Sequence, residues 1–147
     1  MGEGLTREAQ RPLRIGRSIG ALFAGFVAVV ILSLGTDAAL HAAGIFPALG
    51  QPMSNALLLL ATAYRTVYGI FGSYVTARLA PYRPMQHALL GGSVGLVLSI
   101  VGAVMAWNKA AMLGPHWYPL ALVATAMPCA WAGGKIRVMQ LGGHVEN

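Results

Sequence analysis

Asn55–Ala80 reads NALLLLATAYRTVYGIFGSYVTARLA, an almost wholly apolar stretch with Arg65 near its middle. About 20 apolar residues in an α-helix cross the ~30 Å hydrocarbon core of a bilayer. Arg65 follows Ala56 by nine residues, or about 13–14 Å of helix, which puts it close to mid-depth. A guanidinium there costs roughly 2.5–3.5 kcal/mol, so the sequence predicts that another part of the protein receives Arg65.

Three more apolar segments surround this one, and the sequence predicts four transmembrane helices. The predicted spans are about 18–36, 55–80, 87–107 and 118–135, within a membrane domain of 17–138. Ser54 is a predicted N-cap for the second span, and Pro81 is expected to end it, because proline cannot continue a helix interior. The predicted fold class is an all-α integral membrane four-helix bundle with both termini cytoplasmic, flanked by tails 1–16 and 139–147.

The composition excludes a water-facing domain. Of 147 residues, 56% are hydrophobic and 10% are charged, whereas soluble domains carry about 25% charged residues. The chain has a net charge of +6, but its cations lie at the ends of apolar segments, so no nucleic-acid partner is expected. Cys129 is the one cysteine, which excludes an intramolecular disulfide and favours a buried packing role.

The distribution of Lys and Arg predicts the orientation. Eight lie on one side of the predicted spans, and only Lys109 lies on the other. Cytoplasmic loops carry the excess of positive charge, so both termini are predicted to be cytoplasmic. The Ala- and Gly-rich composition suggests a bacterial inner membrane. Trp107, Trp117 and Tyr118 are expected to form an aromatic belt at the outer interface. The eight cytoplasmic cations are Arg7, Arg11, Arg14, Arg17, Arg78, Arg83, Lys135 and Arg137.

Asp37 is the predicted partner of Arg65, since it is the only acidic residue near any span. His41 shares its helical face, and Tyr68 is expected to cover the guanidinium through a cation–π contact. Three interpretations stay open: a structural ion pair that fixes helix register, a functional polar site such as a gate or ion-binding couple, and Asp37 as the N-cap of a short separate helix ending before Gly44.

Small residues recur every four positions on two spans, and such rows let membrane helices approach closely. Gly20 and Ala24 belong to the first row, Gly91 and Gly95 to the second. We expect these faces to pack within the bundle; the alternative is a homo-oligomer interface. In the fourth span, Pro128 should free the carbonyl of Ala124, and Thr125 is expected to satisfy part of that backbone.

No P-loop, GxSxG or HExxH motif occurs, and no catalytic residue, metal site or cofactor is expected. The leading functional expectation is a small non-enzymatic membrane protein, structural or accessory. Its expected partners are the lipid bilayer and either a second copy or a larger membrane protein. The alternative is a small transporter or channel that uses the polar stripe around Arg65. A third is a membrane enzyme with an outer-face site of Asp37, His41 and His116; all four histidines are otherwise expected at interfacial helix ends.

Overall fold

The described residues form four α-helices and contain no strand. The computed structural model describes the backbone of residues 2–109 and 114–143, with side chains from 14 onward in those ranges. Most of the predicted tail 1–16, and residues 144–147 of the other tail, therefore lie outside the described side chains. The helices are α1 (Gly2–Ala42), α2 (Asn55–Leu79), α3 (Pro84–Trp107) and α4 (Trp117–Gly142).

The ends of α2 confirm the predictions made from local sequence. The Ser54 hydroxyl accepts a hydrogen bond from the Leu57 N–H at 3.4 Å, which satisfies one of the N–H groups left over at a helix start. The last backbone bond runs from the Ala80 N–H to the Thr76 carbonyl at 3.0 Å. Pro81 follows directly, so α2 ends where its backbone can no longer continue.

Helix α1 continues past Asp37 to Ala42, so Asp37 is not the N-cap of a separate helix, and that interpretation is wrong. The helix ends in a Schellman motif, in which the Ile45 N–H bonds the Leu40 carbonyl at 3.0 Å and the Gly44 N–H bonds the His41 carbonyl at 3.1 Å. Gly44 has φ 70°, a left-handed conformation that glycine adopts without a Cβ penalty. Asp37 is therefore fixed on a continuous helix.

Three helical segments are long and apolar enough to span a membrane: Arg14–Ala42, Asn55–Leu79 and Pro84–Trp107. Among the described residues, α4 is not a candidate span by this measure, although it is 26 residues long. Aromatic residues, two prolines and two adjacent glycines, Gly133 and Gly134, lower its mean hydropathy. The sequence of each helix, taken alone, thus supports three of the four predicted spans.

Helices α1 and α4 lie on opposite sides of the bundle. Both pack against α2 and α3, while α1 and α4 do not contact each other within the described residues. Helix α2, like α3, is therefore placed so that its side chains can reach both outer helices. This position matters for Arg65, which lies on α2.

Small residues form the core and large ones form the outer surface. Leu58 is the only large side chain that is fully buried among those described; the other buried apolar positions are mostly alanine. By contrast, Phe23 is 67% exposed and Met105 is 70% exposed. Water-soluble domains bury their large apolar side chains, whereas helices in lipid associate through small residues and point large ones outward.

The close helix contacts use glycines that differ from those predicted. A Cβ on Gly25 of α1 would collide with Thr76 and the carbonyl of Gly72 on α2, so these two backbones cross almost in contact. A Cβ on Gly91 would lie 3.4 Å from the Leu22 side chain, but a Cβ on Gly20 or Gly95 would meet nothing within 4 Å. Ala24 is half-buried. The prediction of packing within the bundle is wrong for Gly20 and Gly95, because the inner face of each helix is turned away from them.

One other local expectation is wrong. The Thr125 hydroxyl donates to the carbonyls of Ala121 at 2.9 Å and Leu122 at 3.2 Å, and so it does not reach the carbonyl of Ala124 that Pro128 leaves free. His87 lies in the first turn of α3, as expected of a histidine at a helix end, but it is buried.

His87 is 4% exposed, and its Nε2 lies 2.9 Å from the Ser18 hydroxyl. Its other ring nitrogen, Nδ1, lies 3.3 Å from the Arg83 carbonyl. A carbonyl can only accept, so Nδ1 carries a proton and donates to it, while Nε2 bonds the Ser18 hydroxyl. The ring joins α3 to α1.

Candidate functional site

Arg65 joins the two helices that do not touch each other. Its Nη2 donates to Asp37 Oδ2 on α1 at 2.6 Å. Its Nη1 donates to the Tyr118 hydroxyl on α4, also at 2.6 Å. The planar guanidinium offers several N–H donors in a fixed fork, so one side chain can serve both partners at once.

Asp37 receives a second donor from the helix that carries Arg65. The Tyr64 hydroxyl donates to Asp37 Oδ1, so each carboxylate oxygen has its own partner on α2. His41 lies one turn further along α1, where its Nδ1 bonds the backbone carbonyl of Asp37 at 2.7 Å. Its ring meets Phe46 edge-on at 5.4 Å. His41 therefore stabilises the end of α1 without contacting the guanidinium.

Tyr68 has a different role from the predicted cation–π cover. Its hydroxyl lies 2.8 Å from the Thr36 hydroxyl, which adds a neutral hydrogen bond between α1 and α2. The rings near the guanidinium carbon are those of Tyr64 at 6.0 Å and Tyr118 at 5.9 Å. These distances are at the outer limit of a cation–π contact, so the hydroxyl groups dominate.

The ion pair is partly open to the exterior. The side chains of Arg65 and Asp37 keep 30% and 22% of their exposure. Arg65 Nε is buried and has no hydrogen-bond acceptor within the described part of the chain. A charged group with one donor unsatisfied pays part of its desolvation cost. The two terminal nitrogens of Arg65 are therefore hydrogen-bonded, whereas its Nε is not.

The face of α2 that carries Arg65 is closed toward the other end of the helix. Gly69 faces Cys129 of α4, whose Sγ would lie 3.4 Å from an added Cβ. Gly72 lies against Gly25 of α1, and Thr76 is 3% exposed. Small residues on this stripe therefore admit neighbouring helices rather than an opening along α2.

Asp37, His41 and His116 do not form a metal site in the described part of the chain. No group of three potential ligands occurs among the residues that the structure describes. His116 is exposed and bonds the Trp107 carbonyl through Nε2 at 3.0 Å, with its ring against Trp107 at 4.5 Å. It does not join Asp37 and His41, and an outer-face enzyme site built on these three residues has no geometric support.

Sequence reasoning missed Tyr64, Tyr118 and Thr36 as members of the site. Tyr118 was expected to be an interfacial ring only, and its hydroxyl lies 53 positions from Arg65 in the chain. Tyr64 carried a weak signal, since it precedes Arg65 directly and Asp37 needs donors for two oxygens.

The Asp37–Arg65 cluster consists of Asp37, Arg65, Tyr64 and Tyr118. The cluster can hold three helices together or exchange an ion with the exterior. It has no arrangement typical of nucleophilic or metal catalysis. Comparison with protein-family models, with curated proteins and with solved structures finds no match to the chain.

Proposed function

We propose that the chain is a small non-enzymatic integral membrane protein of a structural or accessory kind, with four helices in the bilayer and both termini in the cytoplasm. The observation that carries this proposal is the closure of the α2 stripe beneath Arg65, where Gly69 and Gly72 are covered by α4 and α1. A pathway for solute needs polar or open space across the bundle. The Asp37–Arg65 cluster acts instead as a clamp at one end.

Lipid as the surrounding solvent is supported by the distribution of residue size. Large apolar side chains cover the outside, and alanine and glycine fill the inside. Helix α4 is not a candidate span on its own hydropathy, and it crosses with the others because it buries Cys129, Ala130, Gly133 and Gly134 against its neighbours. The excess of Lys and Arg at one end supports the cytoplasmic placement of the termini, in a bacterial inner membrane.

The accessory role rests on faces that the bundle leaves unused. Cβ positions on Gly20, Gly95 and Gly102 meet no atom within 4 Å. Close approach of a second helix there gains dispersion contacts that lipid cannot match. A second copy of the chain or a larger membrane protein is the proposed partner. Energy transfer between labelled copies in vesicles should fall in a Gly20→Leu/Gly95→Leu variant and persist in the exposed control Ala38→Leu.

The clamp itself is tested by reversing its charges. Asp37→Arg and Arg65→Asp should each lower the folded yield in detergent, because each leaves like charges facing one another or a charge without its partner. The two changes together should restore part of the yield. Arg17→Gln, which removes an exposed charge from the helix that carries Asp37, is the matched control and should fold normally. Failure of the double variant to exceed either single variant would contradict the clamp.

A small transporter or channel is the second candidate, and the partial exposure of Arg65 and Asp37 favours it. The two candidates differ in conductance. Vesicles containing the protein should conduct ions no better than empty vesicles if the cluster is a clamp. A conductance well above that background, abolished by Arg65→Ala, would replace the accessory proposal with the channel.

A further inference from the structure

A basic cluster joins the other ends of α2 and α4. Arg78 Nη1 donates to the Tyr74 hydroxyl at 2.9 Å, and that hydroxyl donates to Gln140 Oε1 at 3.2 Å. Arg137 Nη1 approaches the same Gln140 oxygen at 3.5 Å. Two arginines from different helices are thus held at one place by two neutral side chains, Tyr74 and Gln140.

The positive charge of this basic cluster (Tyr74, Arg78, Arg137, Gln140) is not neutralised within the described side chains. Asp37 is the one acidic residue among them, and it pairs with Arg65. Arg65 precedes Arg78 by thirteen residues, about 20 Å along the helix. Each guanidinium has five N–H donors, and the contacts above use one from each. Both arginines retain donors in the fork geometry that matches a phosphate.

The surroundings of the basic cluster match a lipid surface. Apolar side chains on α4 are exposed beside the cations: Ile136, one turn before Gln140, is 39% exposed, and Met139, directly before Gln140, is 58% exposed. Lys135 Nζ lies 4.5 Å from the centroid of the Trp131 ring, and Trp131 is 52% exposed. Indole rings favour the headgroup level of a bilayer, and long basic side chains extend from there to the phosphates.

We propose that Arg78 and Arg137, positioned by Tyr74 and Gln140, bind the phosphate of an anionic phospholipid at the end of the bundle opposite the Asp37–Arg65 cluster. This inference rests on the proposed residence in a membrane. A zwitterionic lipid presents the same phosphate but adds a quaternary ammonium, which the two arginines would repel. A soluble acidic partner would satisfy the charges but would leave the neighbouring apolar side chains and Trp131 exposed. An anionic lipid pairs with the charges and also covers the apolar side chains and Trp131.

The test uses Trp131 as the reporter. In the full chain with Trp107→Phe and Trp117→Phe, Trp131 is the only tryptophan, and bromine atoms on lipid chains quench it when they lie next to it. Vesicles of phosphatidylcholine contain either brominated phosphatidylglycerol or brominated phosphatidylcholine. Phosphatidylglycerol should compete for the site at least about fivefold better than phosphatidylcholine, since each cation near an anionic surface contributes about that factor.

Two variants and one control distinguish a specific phosphate site from a general effect of the protein's positive charge. Arg78→Gln/Arg137→Gln should abolish the preference, and Tyr74→Phe should weaken it without changing any charge. Arg14→Gln/Arg17→Gln removes two charges from exposed side chains of α1, a helix that does not contact α4, and should leave the preference intact. Equal quenching by both lipids, or an equal loss in the Arg14/Arg17 control, would overturn the proposal.

Free inorganic phosphate offers the two arginines the same oxygen atoms as a lipid headgroup. Inorganic phosphate added at an ionic strength matched with chloride should not change the quenching preference; a phosphate-specific loss would contradict the lipid. Flotation with the vesicles tests membrane residence separately from the lipid site. A chain that floats but shows no lipid preference has no such site and remains a membrane protein, whereas a chain that does not float overturns both.

Discussion

At the scale of single residues, Arg65 is the side chain on which the cluster depends. It uses separate nitrogens for Asp37 and Tyr118, so its two contacts are geometrically independent. Hydrogen bonds to charged groups contribute about 1.5–3 kcal/mol, against about 0.5–1.5 kcal/mol for neutral pairs. The difference allows two tyrosines of the same site to be compared directly.

Tyr118→Phe should destabilise the protein by about 1.5–3 kcal/mol, because it removes a partner of the guanidinium. Tyr68→Phe is the matched control, since it removes a hydroxyl bonded only to Thr36, and it should cost about 1 kcal/mol or less. The loss of helicity during an SDS titration in detergent micelles measures both changes. In an Arg65→Gln background the Tyr118 effect should shrink while the Tyr68 effect stays. Equal effects in both backgrounds would contradict a direct Arg65–Tyr118 bond.

At the scale of helices, glycine contacts decide how closely α4 and α1 approach α2. A Cβ on Gly133 would meet the Ile70 carbonyl and would lie 2.7 Å from both Ser73 Cβ and the Tyr74 nitrogen. These are largely backbone atoms, which cannot turn aside. The α2–α4 contact therefore tolerates no side chain at this position.

Gly133→Ala should destabilise the bundle by about 1–3 kcal/mol, the usual cost of overpacking. Gly20→Ala makes the same change where nothing lies within 4 Å, and it should be neutral or stabilising because alanine favours a helix by about 1 kcal/mol over glycine. The same SDS titration measures both. If Gly20→Ala were as destabilising as Gly133→Ala, the helix faces assigned here would be wrong.

At the scale of the whole molecule, α4 raises a question that its own sequence does not answer. It is not a candidate span by hydropathy, yet it packs along α2 and α3 and supplies Tyr118 to the Asp37–Arg65 cluster. The proposed four-span arrangement puts the two ends of α4 on opposite sides of the membrane.

Cysteine labelling in sealed vesicles tests this arrangement. In a Cys129→Ala background, Lys109→Cys should react with an impermeant reagent only from the outer side. Arg83→Cys and Val138→Cys should both react only from the cytoplasmic side, because two spans, α3 and α4, separate them. Labelling of positions 109 and 138 from one side would remove α4 from the membrane. Labelling of position 109 only from the cytoplasmic side would reverse the proposed orientation.

The sequence by itself determined the features that depend on neighbouring residues. Ser54 and Pro81 define the ends of α2 through backbone hydrogen bonds that form within a few positions. The sequence also shows the lengths of the apolar segments, the unequal distribution of Lys and Arg, and the need of Arg65 for a partner. Asp37 could be proposed as that partner because the chain offers so few carboxylates.

The tertiary structure decided which faces meet. One residue turns a helix by about 100°, so the step from Gly20 to Ala21 leads from an exposed position to a buried one, and the step from Ala24 to Gly25 leads from a half-buried position to a buried one. No local pattern fixes that rotation, since several faces of each helix are apolar or small. The same rotation brings Tyr118 to Arg65 across 53 positions and turns Tyr68 toward Thr36. These contacts depend on how three helices pack together, and no single segment contains that information.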